Sequence, residues 1–134
     1  GNVTDLARHK YLLSLEGHSF WSFRLRQLMH LGSAVLHQDS PCHEFFHALL
    51  RPYEHYIPIK RDLSDLRAKL RYAKAHDEHV QRMVGRMTRL AAKLLTRDGV
   101  ARYVRELLLQ YSALQNGSVH LHPDAVPLAL DRDE

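Results

Sequence analysis

The chain has 134 residues, 45% apolar and 25% charged, with a formal charge of +4 from 19 Lys and Arg against 15 Asp and Glu. That is the length of one domain with enough apolar content for a single core, and the modest positive balance suits an anionic ligand without demanding nucleic acid. No run of about 18 apolar residues occurs, so no membrane-spanning helix is expected, and the lone Cys42 excludes an internal disulfide and a cysteine-based metal site.

In chain order, Gly1 to Asp5 lacks a basic region followed by an apolar run and does not read as a signal peptide. Residues 10–15 read as a short strand with Tyr11, Leu12, Leu13 and Leu15 as its apolar content, broken by Gly17-His18-Ser19. Phe20 to Leu31 reads as a helix, with Phe20, Phe23, Leu28 and Leu31 on related faces and Gly32 as its C-cap. Ser33 to Leu36 has the small-plus-aliphatic character of a buried parallel strand. Asp39-Ser40-Pro41 carries helix-starting chemistry, which predicts about two turns over Cys42 to Leu50, ended by Pro52. His55 to Lys60 is a third strand. Ser64 reads as an N-cap, with Leu66, Leu70 and Ala73 as the stripe of the next helix.

From Asp77 the chain is strongly helical. Val80, Met83, Val84, Met87, Leu90, Ala91, Leu94 and Leu95 keep the helical period, Gly99 interrupts it, and Val100, Tyr103, Val104, Leu107, Leu108, Tyr111 and Leu114 resume it. The order β-α-β-α-β-α-α-α predicts an α/β fold: a thin parallel sheet followed by a helical C-terminal segment. Doubly wound domains have about five or six strands, so the pattern reads as the C-terminal part of something larger. Residues 1–115 form the expected domain and 116–134 a tail, loop or disordered.

Three places carry possible chemistry. A strand, a flexible turn and a helix start over Gly17 to Arg24 can hold an anion, because free backbone N–H groups and the helix dipole converge there. Ser22 can donate through its hydroxyl, Arg24 can fork two donors onto a diphosphate, and Trp21 or Phe23 can pack on a sugar or base. The bland alternative makes Trp21 and Phe23 core and Arg24 a surface charge. The second place, His43-Glu44-Phe45-Phe46-His47, matches the zinc-protease helix pattern, in which two His one turn apart bind zinc and the Glu activates water. No third ligand follows at the expected spacing, and 11 histidines in the chain make a chance match easy. The third, His76 to His79, reads as helix-junction polarity. Most of the basic residues beyond Arg67 read as solvated helix faces.

Several of these segments, taken in order, resemble glycosyltransferase family 90, which holds protein O-glucosyltransferases, KDEL-motif-containing relatives and fungal capsule xylosyltransferases. The matching residues are Lys10-Tyr11, the Gly17 to Arg24 turn with Ser22-Phe23-Arg24, Gly32-Ser33, Glu44-Phe45-Phe46, His55-Tyr56-Ile57-Pro58 and Asp62-Leu63-Ser64. The resemblance spans residues 8 to 115. It implies the C-terminal Rossmann-like half of a GT-B fold, which holds the nucleotide sugar. The implied reaction moves glucose or xylose from UDP-glucose or UDP-xylose to a hydroxyl of a protein or glycan, with no metal and no other cofactor. By the same resemblance Ser22, Phe23 and Arg24 grip the UDP diphosphate and Glu44 lies near the ribose. The catalytic carboxylate belongs to an N-terminal half outside these residues, so no catalytic residue is assigned here. His43 and His47 match no motif of the family.

Two other readings stand beside the donor-binding half of an enzyme: a non-catalytic lumenal binding module of the same fold, and a small zinc hydrolase using His43, Glu44 and His47. The expected compartment is the lumen of the endoplasmic reticulum or Golgi. Two glycosylation acceptor patterns, Asn2-Val3-Thr4 and Asn116-Gly117-Ser118, fit it. The end Arg132-Asp133-Glu134 is one Leu short of a retrieval-type signal.

Overall fold

A computed structural model describes residues 3–17, 23–117, 120 and 123–126. The described elements are α1 (Val3–Leu6), β1 (Tyr11–Ser14), α2 (Arg24–Leu28), β2 (Ala34–Gln38), a 3-10 turn (His47–Leu49), β3 (Ile57–Ile59), α3 (Leu66–Ala75), α4 (Asp77–Leu94) and α5 (Arg97–Leu114). The strands form one three-stranded sheet in the order β1-β2-β3. Both pairings are parallel, with Tyr11 opposite Ala34 and Leu36 opposite Ile57.

The central strand explains the sheet. Ala34, Val35 and Leu36 are all buried, because helices cover both faces and alternation has no wet side to serve. Val35 joins Leu12, Leu25, Leu28, Phe46 and Met87 in one core cluster. Ala34 and Leu36 join Ile57, Ile59, Ala73, Val80 and Met83 in the other. The α4 stripe therefore serves both layers: its first half meets the second cluster, while Met87 and Ala91 meet the first. Burial of such side chains stabilises by about 1.5–3 kcal/mol each.

Four local expectations change. The helix expected over Phe20 to Leu31 is described only from Arg24 to Leu28, and Phe20 and Trp21 lie outside the described residues. Beyond Leu28 the bonds tighten, His30 N–H to Gln27 O (3.3 Å) and Leu31 N–H to Leu28 O (3.1 Å), and Gly32 closes the turn at φ +70°, a left-handed conformation natural to glycine.

The helix expected over Cys42 to Leu50 shrinks to the 3-10 turn. Ser40 Oγ accepts from Cys42 N–H at 3.2 Å, an i to i+2 side-chain turn that competes with helix initiation. The Glu44 N–H goes to His47 Nδ1 rather than to a carbonyl one turn back.

Ser64 is not the N-cap of α3. That position is Asp65, without a side-chain cap bond. Asp65 Oδ1 instead accepts from Lys60 N–H at 2.9 Å, and Asp62 Oδ1 accepts from Ser64 N–H at 3.0 Å. The carboxylates shape the turn leading out of β3.

Gly99 does not interrupt the helices. The break is at Leu95-Thr96, and Thr96 Oγ1 caps α5 by accepting from Gly99 N–H at 3.1 Å. A Cβ on Gly99 would stand 2.4 Å from Lys93 O, so the glycine permits the tight join of α4 to α5. The apolar residues of α5 remain exposed, Leu107 by 51% and Leu108 by 60%. Its inner edge is fixed by Tyr103, whose ring lies 4.6 Å from that of Phe45.

Candidate donor-binding site

In an open parallel sheet, ligands sit outside the carboxyl ends of the strands, where loops diverge and backbone groups are free. That edge carries a cavity of about 720 Å³ with His37, Asp39, His43, Glu44, His47 and Tyr56 in its wall. Asp39 follows β2 directly, and Lys60, which also lines the cavity, follows β3.

Three imidazoles line up along one side. The ring centroids of His37 and His47 are 5.7 Å apart and those of His43 and His47 are 5.4 Å apart. Burial, then the neighbouring His47, pushes His37 down to about 4, so it is neutral near pH 7. Its Nδ1 lies 3.2 Å from Ser14 Oγ, and its ring meets Tyr56 edge-on at 5.3 Å. Burial also lowers the pKa of His47. His47 Nδ1 accepts the Glu44 N–H at 2.8 Å, which fixes its neutral tautomer with the proton on Nε2.

The sequence-nominated residues separate into two groups. Glu44 is in the cavity wall. Burial raises its pKa and the charge of Arg26 on α2 partly reverses that, so α2 and Glu44 already share a field. Phe23 and Arg24 stand at the start of α2, both exposed, with Phe23 as N-cap and the Arg26 guanidinium over its ring at 5.0 Å. Neither lines the cavity. Ser22 lies outside the described residues.

The zinc pattern is not built as a metalloprotease helix. His43 precedes the 3-10 turn instead of sharing a helix with His47, and His47 Nδ1 is occupied by the Glu44 amide. Among the described residues, no group of three or more His, Cys, Asp or Glu is placed to hold a metal ion.

Residue-type reasoning passed over a second cluster on the same edge. Glu16 N–H donates to Gln38 Oε1 at 2.8 Å, Gln38 Nε2 donates to Arg61 O at 2.7 Å, and Arg61 Nη2 stands 3.3 Å from Glu16 Oε2. These residues follow or end β1, β2 and β3 in turn. Their positions just past strand ends were the available signal.

The family profile described as Glycosyl transferase family 90 matches residues 1–131. The chain belongs to glycosyltransferase family 90. Among curated relatives, protein O-glucosyltransferase 1 of Rattus norvegicus is 34% identical over 123 residues, 92% of this chain and 31% of the relative. Human protein O-glucosyltransferase 3 is 36% identical over 112 residues, 84% of this chain and 22% of the relative. Zebrafish (Danio rerio) protein O-glucosyltransferase 2 is 35% identical over 111 residues. The chain thus spans between about a fifth and a third of the family 90 relatives it matches. No described helix is long and apolar enough to cross a membrane.

Proposed function

We propose that this chain is the donor-binding part of a UDP-sugar-dependent O-glycosyltransferase, the C-terminal Rossmann-like half of a GT-B enzyme. The observation that carries the reading is the cavity at the carboxyl edge of a parallel sheet with Glu44 in its wall. A carboxylate there can accept from the two hydroxyls of a ribose, as carboxylates do in nucleotide-binding α/β folds. Arg24 and Phe23, at the start of α2, meet the diphosphate, and Ser22, outside the described residues, is assigned to it by the family resemblance. The donor is UDP-glucose or UDP-xylose, and the acceptor is a hydroxyl of a protein or glycan. Neither a metal nor another cofactor takes part: the diphosphate leaving group is neutralised by arginine and backbone N–H groups.

The apolar face that α5 leaves exposed fits a domain that works packed against more protein. The compartment is the lumen of the endoplasmic reticulum or Golgi. Asn116 of the acceptor pattern Asn116-Gly117-Ser118 is exposed just past the end of α5, where a glycan has room.

Calorimetric titration with UDP tests the reading. Saturable binding, competed by UDP-glucose or UDP-xylose and indifferent to chelators, is expected. Absence of any UDP binding by a folded protein overturns it.

A further inference from the structure

His47 stands in the cavity wall, and two contacts fix its ring. One face stacks on the fully buried Phe46 ring, with centroids 4.8 Å apart and an interplanar angle of 22°. Its Nδ1 accepts the Glu44 N–H at 2.8 Å. A neutral imidazole that accepts through Nδ1 carries its proton on Nε2. Among the described residues no hydrogen bond uses that Nε2–H, and the atom is reachable from solvent rather than sealed in the core. It is the one unspent polar edge of a ring whose orientation is already set.

The same short turn presents Glu44 to the cavity. The wall therefore offers a fixed donor beside a carboxylate acceptor. What satisfies both is constrained by chemistry. A phosphate oxygen can accept from His47 but is repelled by Glu44 and by Asp39 in the same wall. A carbonyl only accepts. A hydroxyl gives its hydrogen to the carboxylate and keeps lone pairs for the N–H. In a nucleotide sugar whose ribose is met by Glu44, the ribose hydroxyls are the groups that fit.

We propose that His47 is a specificity-determining residue whose Nε2–H donates to a ribose hydroxyl of the nucleotide sugar. The inference rests on the donor-binding reading above. Phe46 and the Glu44 amide position the ring before the ligand arrives, so little side-chain freedom is lost on binding. A site built to hydrogen-bond a hydroxyl rejects the analogue lacking it, because its own polar groups are then left unpaired. The turn thus selects a ribonucleotide over its deoxy counterpart.

The test is calorimetry on the wild-type protein and His47→Asn, each with UDP, 2′-deoxy-UDP and 3′-deoxy-UDP. The asparagine oxygen can still accept the Glu44 N–H, but the shorter side chain places no donor where Nε2–H stood. The substitution should weaken UDP about fivefold, the worth of a single neutral hydrogen bond. It should leave unchanged one of the two deoxy-nucleotides, the one lacking the contacted hydroxyl. In the wild-type protein, nitrogen NMR of the imidazoles gives a reading that no substitution can disturb. The His47 Nε2 resonance should shift on adding UDP and stay in place with that same deoxy-nucleotide. Equal losses for all three nucleotides, no loss for any, or an Nε2 resonance indifferent to bound UDP overturns the assignment while the donor reading stands. A wild-type protein that binds no UDP removes the donor reading itself, and this proposal with it.

Discussion

The Glu44 amide donates to His47 Nδ1 at 2.8 Å, so the turn that carries a cavity carboxylate is closed by a titratable ring. Neutral imidazole accepts that bond and imidazolium cannot. The Glu44 carbonyl, 3.3 Å from the same nitrogen, is the acceptor left to the protonated form. Burial disfavours the charged ring, and the neighbouring His43 adds to that. Near neutral pH the ring therefore favours the bond from the Glu44 amide, and in acid it exchanges that bond for one to the Glu44 carbonyl.

This predicts a readable titration. The backbone amide of Glu44 should shift and lose hydrogen-exchange protection as pH falls below the ordinary histidine range. His47→Asn, whose side-chain oxygen still accepts, should keep the protection and lose the pH dependence. An amide resonance that ignores pH in the wild-type protein argues against the switch.

Arg24 provides a second prediction. A planar guanidinium can bond two phosphate oxygens at once. Arg24→Ala should weaken UDP by about 1.5–3 kcal/mol, the range for hydrogen bonds to a charged group. Arg24→Lys should also lose affinity, because a point charge does not replace the fork. Unchanged affinity in Arg24→Ala by calorimetry would remove Arg24 from the site.

Gly99 tests the fold independently of function. Its added Cβ would stand 2.4 Å from Lys93 O and 2.6 Å from Leu94 O, and both are backbone atoms with little freedom to yield. Gly99→Ala should cost about 1–3 kcal/mol in urea unfolding, as for other forced contacts, even though alanine favours helices. A neutral or stabilised variant would mean that the α4–α5 join is looser than described.

The sequence made the three strands and the α4 stripe legible for a physical reason. Val35 and Leu36 are consecutive apolar residues that only a doubly covered strand can bury, and Val80, Met83 and Met87 recur at helical spacing. Glu44, which lines the cavity, was nominated by the resemblance carried by Glu44-Phe45-Phe46. The turn around it was not, because Ser40 and His47 divert Cys42 and Glu44 amides from helix bonds, and such side-chain competition leaves no periodic trace. Glu16, Gln38 and Arg61 were illegible for another reason. Their meaning comes from strand order, which brings residues 22 and 23 positions apart into contact.

The histidine-rich turn leads to a prediction about metal. His43 and His47 share no helix, and one nitrogen of His47 already holds a backbone amide. Purified protein should contain far less than one zinc per chain by elemental analysis. One tightly held zinc, lost in a His43→Ala, His47→Ala double variant, would reverse this.

His37 should make the protein acid-sensitive, and the sign follows from linkage. Its pKa falls from 6.5 in the unfolded chain to about 4 in the fold, chiefly through burial. Between those values the unfolded state binds the proton and the folded state does not, so stability rises with pH across that window. The contribution is complete above about pH 6.5 and is lost as pH falls toward 4, a difference of about 3 kcal/mol. His47 and His55, also lowered by burial, act in the same direction, while Glu44, raised by burial, acts in the opposite one. His37→Asn can keep a polar contact with Ser14 but cannot take up a proton. Urea unfolding at about pH 7 and about pH 4.5 should therefore show a smaller acid loss in His37→Asn than in the wild-type protein. Equal losses in the two proteins would show that His37 is solvated and titrates normally.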